Sequence, residues 1–155
     1  MNYAVTVTAA LDVPTMRDKV NFIEAEMRKR GPIDLPVKHH FSQGVYGREL
    51  FLPKGTLATG KIHKYQQFNI LALGEVSVLV EEGIVRVKAP FTVVSPPGTK
   101  RIVYAHEDSV WITVHGTDET DLEKIEQHFI AQSDAEYTAF IEQSTKLKEI
   151  AQCHG

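Results

Sequence analysis

The chain of 155 residues has one cysteine, Cys153 in the C-terminal tail, so no disulfide framework can form within it and a reducing compartment is expected. No apolar run is long enough to cross a bilayer, and the opening Met1-Asn2-Tyr3-Ala4-Val5-Thr6-Val7-Thr8 is too polar for the core of a signal peptide. A cytoplasmic protein with no membrane partner is expected. A basic surplus is missing as well: 17 Lys and Arg against 20 Asp and Glu give a formal charge of -3, which argues against a nucleic acid polymer as partner. There is no internal repeat, no low-complexity tract, and no Ser or Cys with a plausible local base that would mark a nucleophile.

What is present suits one ordinary domain over residues 1–155: 43% hydrophobic and 24% charged residues can build a core. Three zones follow. Over residues 15–30, Met16, Val20, Ile23 and Met27 recur at steps of three or four, an amphipathic helix bounded by Pro14 before and Gly31-Pro32 after. Over residues 37–116 the pattern becomes strand-like, broken at Pro53-Lys54-Gly55, Glu81-Glu82-Gly83, Pro96-Pro97-Gly98 and His106-Glu107-Asp108, as in a closed or sandwiched β unit. Over residues 118–151 it is helical again. Thr120 with Glu123 and Ser133 with Glu136 form capping-box patterns ahead of the stripes Leu122, Ile125, Phe129 and Tyr137, Phe140, Ile141, Leu147.

Two segments carry a more specific pattern, Gly60-Lys61-Ile62-His63-Lys64-Tyr65-Gln66-Gln67 closing on Gly74, and Pro96-Pro97-Gly98-Thr99-Lys100-Arg101. Their spacing resembles the paired metal motifs of cupin barrels. The resemblance implies a mainly β fold, a cupin-type jelly-roll barrel with an N-terminal helix and two C-terminal helices. In the first motif the acidic ligand position falls on Gln67, and the histidine pair falls either on Lys61 and His63 or on His63 and Tyr65. In the second, Arg101 stands where a histidine is usual.

The likeness extends through His39-His40-Phe41, Gly44-Val45-Tyr46-Gly47-Arg48-Glu49 and Thr117-Asp118-Glu119-Thr120-Asp121-Leu122-Glu123-Lys124, and there it is similar to small single-domain cupins of tailed phages and prophages. That likeness covers roughly Leu35 to Phe129. It speaks for the fold more than for a reaction.

Strand alternation places Lys61, His63 and Tyr65 on one face, with Gln67 and Asn69 continuing the row into the barrel interior. Arg101 shares a face with Val103 and Ala105. On the last strand either Trp111, Thr113 and His115 or Val110, Ile112 and Val114 line the pocket. Lys61, Arg101, and Arg48 or Lys100 bring fixed positive charge that matches carboxylate or phosphate. Gln67 and Asn69 can donate and accept, and Tyr65 or Trp111 offers a stacking face.

The expected function is therefore binding of a small anionic or nucleotide-type ligand. In a phage it would take the form of sequestering a host signal, with no cofactor. The opposing expectation is a metal-dependent isomerase or dioxygenase holding a divalent transition metal on His63 with Gln67, Tyr65 or His115. A third is a phage structural or interaction module whose barrel is filled by its own side chains. His39-His40 puts one imidazole on each face, so at most one can reach a pocket. The terminal helices are expected to cover sheet edges or to pack in a homo-oligomer.

Overall fold

The computed structural model describes residues 15–80 and 82–153. The opening segment Met1–Thr8, the Pro14 helix signal, Glu81 of the Glu81-Glu82-Gly83 turn and the side chain of Cys153 lie outside what it describes.

Helix α1 (Met16–Arg28) starts where Thr15 accepts a hydrogen bond from the Asp18 amide at 3.1 Å, closing one of the unpaired donors of the first turn. Its expected apolar face is its buried face. Val20 and Ile23 are almost fully enclosed against Leu57, Leu79 and Ile102, with Met16 and Met27 at the flanks.

Among the described residues eleven strands follow, beginning with β1 (Val37–Ser42), β2 (Val45–Leu52), β3 (Leu57–Thr59), β4 (Ile62–His63), β5 (Gln67–Leu73) and β6 (Glu75–Val80). Next come β7 (Gly83–Lys88), β8 (Phe91–Ser95), β9 (Ile102–Ala105), β10 (Ser109–Gly116) and, after helix α2 (Leu122–Phe129), β11 (Ile130–Ala131). Helix α3 (Asp134–Cys153) closes the chain.

The strands form a five-stranded sheet β1-β2-β10-β5-β8, a four-stranded sheet β3-β9-β6-β7 and the small pair β11-β4. Every pairing is antiparallel. Two such sheets, with sequence neighbours split between them, make a cupin-type jelly-roll barrel. Alternation gives each sheet an inner and an outer face. On the four-stranded sheet Leu57, Leu79 and Ile102 turn outward under α1, while Ala58, Val78 and Val103 turn inward to pack with Leu52 and Leu71 of the other sheet.

The turns bear out their glycine and proline signals. Gly74 has φ +85 and a Cβ there would run into Ser109 and the Asp108 carbonyl, so both its dihedral and its lack of side chain are used. Gly98 has φ +80, and a Cβ would lie 2.6 Å from the Tyr137 hydroxyl of α3, so this turn is also the seat of that helix.

Two caps differ from expectation. Asp121, not Thr120, caps α2, its carboxylate accepting from the Glu123 amide at 2.9 Å and the Lys124 amide at 3.3 Å. Aspartate is the stronger cap, and Glu119 takes the Thr120 and Asp121 amides, each at 2.9 Å. Before α3, Ser133 accepts from the Glu136 amide at 3.1 Å as expected, but the Glu136 carboxylate returns to the Gln132 amide at 2.8 Å. No helix among the described residues is long and apolar enough to cross a membrane.

Candidate functional site

Between the sheets lies a cavity of about 530 Å³, in the range of small-molecule sites. The register of the five-stranded sheet sorts its wall into layers, since residues paired across antiparallel strands share a face. Nearest α2, Tyr46 pairs with His115. One layer in, His39 pairs with Arg48, Arg48 with Thr113 and Thr113 with Asn69. The next layer is Val37, Leu50 and Trp111. This settles which face of β10 is inward: Trp111, Thr113 and His115 border the cavity.

The opposite wall is built by the two motif segments, which run side by side. The Gly60 amide donates to the Arg101 carbonyl at 2.7 Å and the Gly98 amide to the His63 carbonyl at 2.7 Å. Backbone pairing thus brings His63 and Arg101 to one cavity although 38 positions separate them in sequence.

Of the expected site residues, Arg48, Lys61, His63, Gln67, Asn69, Arg101, Trp111 and His115 all border the cavity. Tyr65 does not. Strand β4 stops at His63 and the chain bends before β5, so alternation counted from His63 fails at Tyr65. Its ring stacks on His128 at 5.0 Å between centroids and meets Phe140 edge-on at 5.4 Å, outside the barrel. Lys61 sits at the rim with an exposed side chain in an ion pair with Glu126 of α2. Lys100 is also elsewhere, paired with Glu24 of α1 at 2.5 Å. Of the two neighbouring histidines, His39 borders the cavity and donates or accepts at Tyr46 Oη, 2.8 Å away, while His40 pairs with Glu49 at 2.9 Å.

Asn69 is committed to the wall itself. Its Oδ1 accepts from Thr113 Oγ1 at 2.9 Å and from Trp111 Nε1 at 3.3 Å, and its Nδ2 donates to Ser95 Oγ at 2.8 Å. Ser95, fully buried, also accepts from Arg101 Nη1. A serine with no sequence signal of its own therefore orients the guanidinium.

Gln67 differs from Asn69: it is 4% exposed, and its Oε1 has no hydrogen-bond partner among the described residues. His63 and His115 each leave a buried Nδ1 without a partner, and their rings stack at 5.3 Å with 21° between planes. Burial, joined by His115 and Arg48, pushes His63 down to about 4, and burial with His128 pushes His115 down to about 4. Both are neutral at pH 7. Burial also lowers Arg101, a sign of its desolvation.

Other residues at the site were not among the expected ligand contacts. Tyr46, Glu126 and Phe129 close the end under α2, and Phe129 stacks on His115 at 4.3 Å. Burial pushes the Glu126 carboxyl up, but hydrogen bonds from Lys61 and Gln132 outweigh this and leave it below the usual range.

The donor set suits a tight transition metal poorly. A tight site needs three or four strong donors, and of the expected set only His63 and His115 are imidazoles. An amide oxygen is a weak third donor, and Arg101 brings positive charge where a ligand would be needed. Among the described residues no three His, Cys, Asp or Glu side chains gather as a metal site would require.

No protein-family model and no curated protein matches the chain. Several solved structures similar to it are described as cupins. One is the cupin domain of an XRE family transcriptional regulator from Enterobacter cloacae, at 11% identity over 55% of this chain and 98% of that one, with a TM-score of 0.46. An RmlC-like cupin from Shewanella frigidimarina has 18% identity over 57% and 80%, with a TM-score of 0.47. An acetylacetone dioxygenase from Acinetobacter johnsonii has 17% identity over 53% and 59%, with a TM-score of 0.44. At these values no ligand or reaction transfers, and the barrel assignment rests on the chain's own strand order.

Proposed function

We propose that the barrel is a binding site for a small organic anion. The observation that carries this reading is a pair of half-buried guanidinium groups on one cavity, neither of them in a salt bridge among the described residues. The Arg48 side chain makes no salt bridge or hydrogen bond among the described residues, although its charge is felt by Glu126, and the Arg101 side chain donates to the neutral Ser95 hydroxyl. Both side chains are half-buried, and a cation that gives up part of its water is normally offset by a partner. The carboxylates on the cavity border are Asp34 and Glu126, and Glu126 is held by Lys61 and Gln132. An incoming carboxylate or phosphate supplies the missing charge, and arginine receives either through two parallel hydrogen bonds.

Neutral His63 and His115 add hydrogen-bonding capacity without competing charge. In the phage setting that the sequence likeness implies, such a protein would withdraw a small anionic host signal from circulation.

The test is thermal unfolding with and without a panel of organic anions, on the parent and on Arg101→Ala and Arg48→Ala, beside a native mass spectrum of untagged protein purified without chelator. Anion-dependent stabilisation that both variants lose supports the proposal. Stabilisation that survives in Arg101→Ala but disappears in His63→Ala, or one transition metal per subunit in the spectrum, overturns it in favour of a metal-dependent enzyme.

A further inference from the structure

The layers of the wall differ in what they can bind, and that difference narrows the ligand. The layer of Val37, Leu50 and Trp111, with Leu52 beyond it and Val103 across from it, borders the same cavity as Arg48 and Arg101. It offers no free polar side chain. The one polar atom it contains, Trp111 Nε1, is already donated to Asn69 Oδ1 at 3.3 Å, so the indole presents carbon to the cavity. A nucleobase or sugar pushed into this layer would leave its polar edge unpaired, at a cost comparable to a lost hydrogen bond or more.

The charged layer lies immediately above, where Arg48 is in register with Thr113, two residues along each strand from the Leu50 and Trp111 pair. Arg101 reaches the same level, since Ser95 binds both its guanidinium and the Asn69 amide. Beyond that level, at the end of β5, Gln67 is 4% exposed and its Oε1 lacks a partner. An acceptor so buried is normally paired, with an ordered water or with a donor that a ligand brings into the cavity.

We infer that the ligand is an amphiphilic organic anion whose carboxylate or phosphate head sits between Arg48 and Arg101, with a compact apolar body on Leu50 and Trp111 and a hydroxyl beside the head for Gln67. This deepens the anion-binding reading and rests on it. A head without a body leaves the deep layer in contact with water. A body without a head leaves two guanidiniums unpaired.

Trp111 is the sole tryptophan, so its fluorescence reports the deep layer directly. Four probes separate the three features: mandelate carries ring, hydroxyl and carboxylate; lactate lacks the ring; phenylacetate lacks the hydroxyl; 1-phenyl-1,2-ethanediol lacks the charge. Mandelate is expected to bind tightest and to change Trp111 emission. Lactate should bind at least about tenfold more weakly and leave the emission unchanged, as loss of a buried apolar group predicts. Phenylacetate should fall between them. Leu50→Ser should weaken mandelate about tenfold and leave lactate unaltered, which also shows that the variant is folded.

Equal binding of lactate and mandelate, both lost in Arg101→Ala, overturns the apolar-body inference and leaves the anion reading standing. Equal binding of the diol and mandelate, unaffected by Arg101→Ala, overturns the anion reading itself. Adenosine monophosphate or inorganic phosphate binding in place of all four probes keeps the anion reading and overturns this inference. No response to any probe at millimolar concentration overturns both.

Discussion

Arg101 donates its guanidinium hydrogen to the buried Ser95 hydroxyl, and no carboxylate stands in that place. Because Ser95 also takes the Asn69 amide at 2.8 Å, the orientation of the cation depends on a neutral oxygen shared by two donors. Ser95→Ala should leave both donors short of a partner. The expected loss is about 1–3 kcal/mol of stability by urea unfolding, together with weaker anion binding. Full stability with unchanged affinity would remove Ser95 from the site.

Acid should destabilise the fold in a defined window. His63 and His115, both held near 4 by burial, return to the ordinary value of 6.5 when unfolded. Between those values the unfolded chain binds more protons, so stability is fully present above about pH 6.5 and is lost as pH falls toward about 4. The charged groups facing His63 are Arg48, Arg101 and Glu126, and His128 faces His115. Urea midpoints measured from pH 7 to pH 4.5 should fall in the parent and change much less in the His63→Gln, His115→Gln double variant. A flat parent profile contradicts the assignment.

Gly74→Ala is expected to cost about 3 kcal/mol, from the left-handed dihedral and the collision with Ser109 together. Gly44→Ala, with φ +73 and open space around it, should cost only the dihedral share, about 1–2 kcal/mol. Paired thermal denaturation curves distinguish the two, and equal losses would mean that the Ser109 contact is not limiting.

Helix α3 anchors through Tyr137 and Phe140, yet farther along Ile141 is 41% and Leu147 61% exposed. An apolar stripe on one long helix suits pairing with a second copy. Light scattering should show an oligomer, and Leu147→Glu should shift it toward monomer without unfolding. A monomeric parent would set this expectation aside.

The sequence made the barrel readable because its turns and motif spacing are local features. His63, Gln67 and Arg101 reach the cavity for that reason. Tyr65 was misplaced because a bend after His63 interrupts the alternation that the prediction assumed. Asn69 faces inward as expected, but its atoms are spent on Thr113, Trp111 and Ser95, partners set by long-range register. The same is true of Glu126, which reaches the rim through α2 and leaves no local trace. The face of Trp111 was ambiguous until its pairing with Leu50 was known.

Strand β11 pairs its two residues, Ile130 and Ala131, with His63 and Ile62, and the Lys64 amide donates to the Phe129 carbonyl at 2.8 Å. The roof over the cavity is thereby stitched to the strand that carries His63. Any fluctuation that lifts α2 must break those amide bonds and displace the imidazole in the same event. Hydrogen exchange at Lys64 would then time the opening of the chamber and the loss of its histidine with one clock.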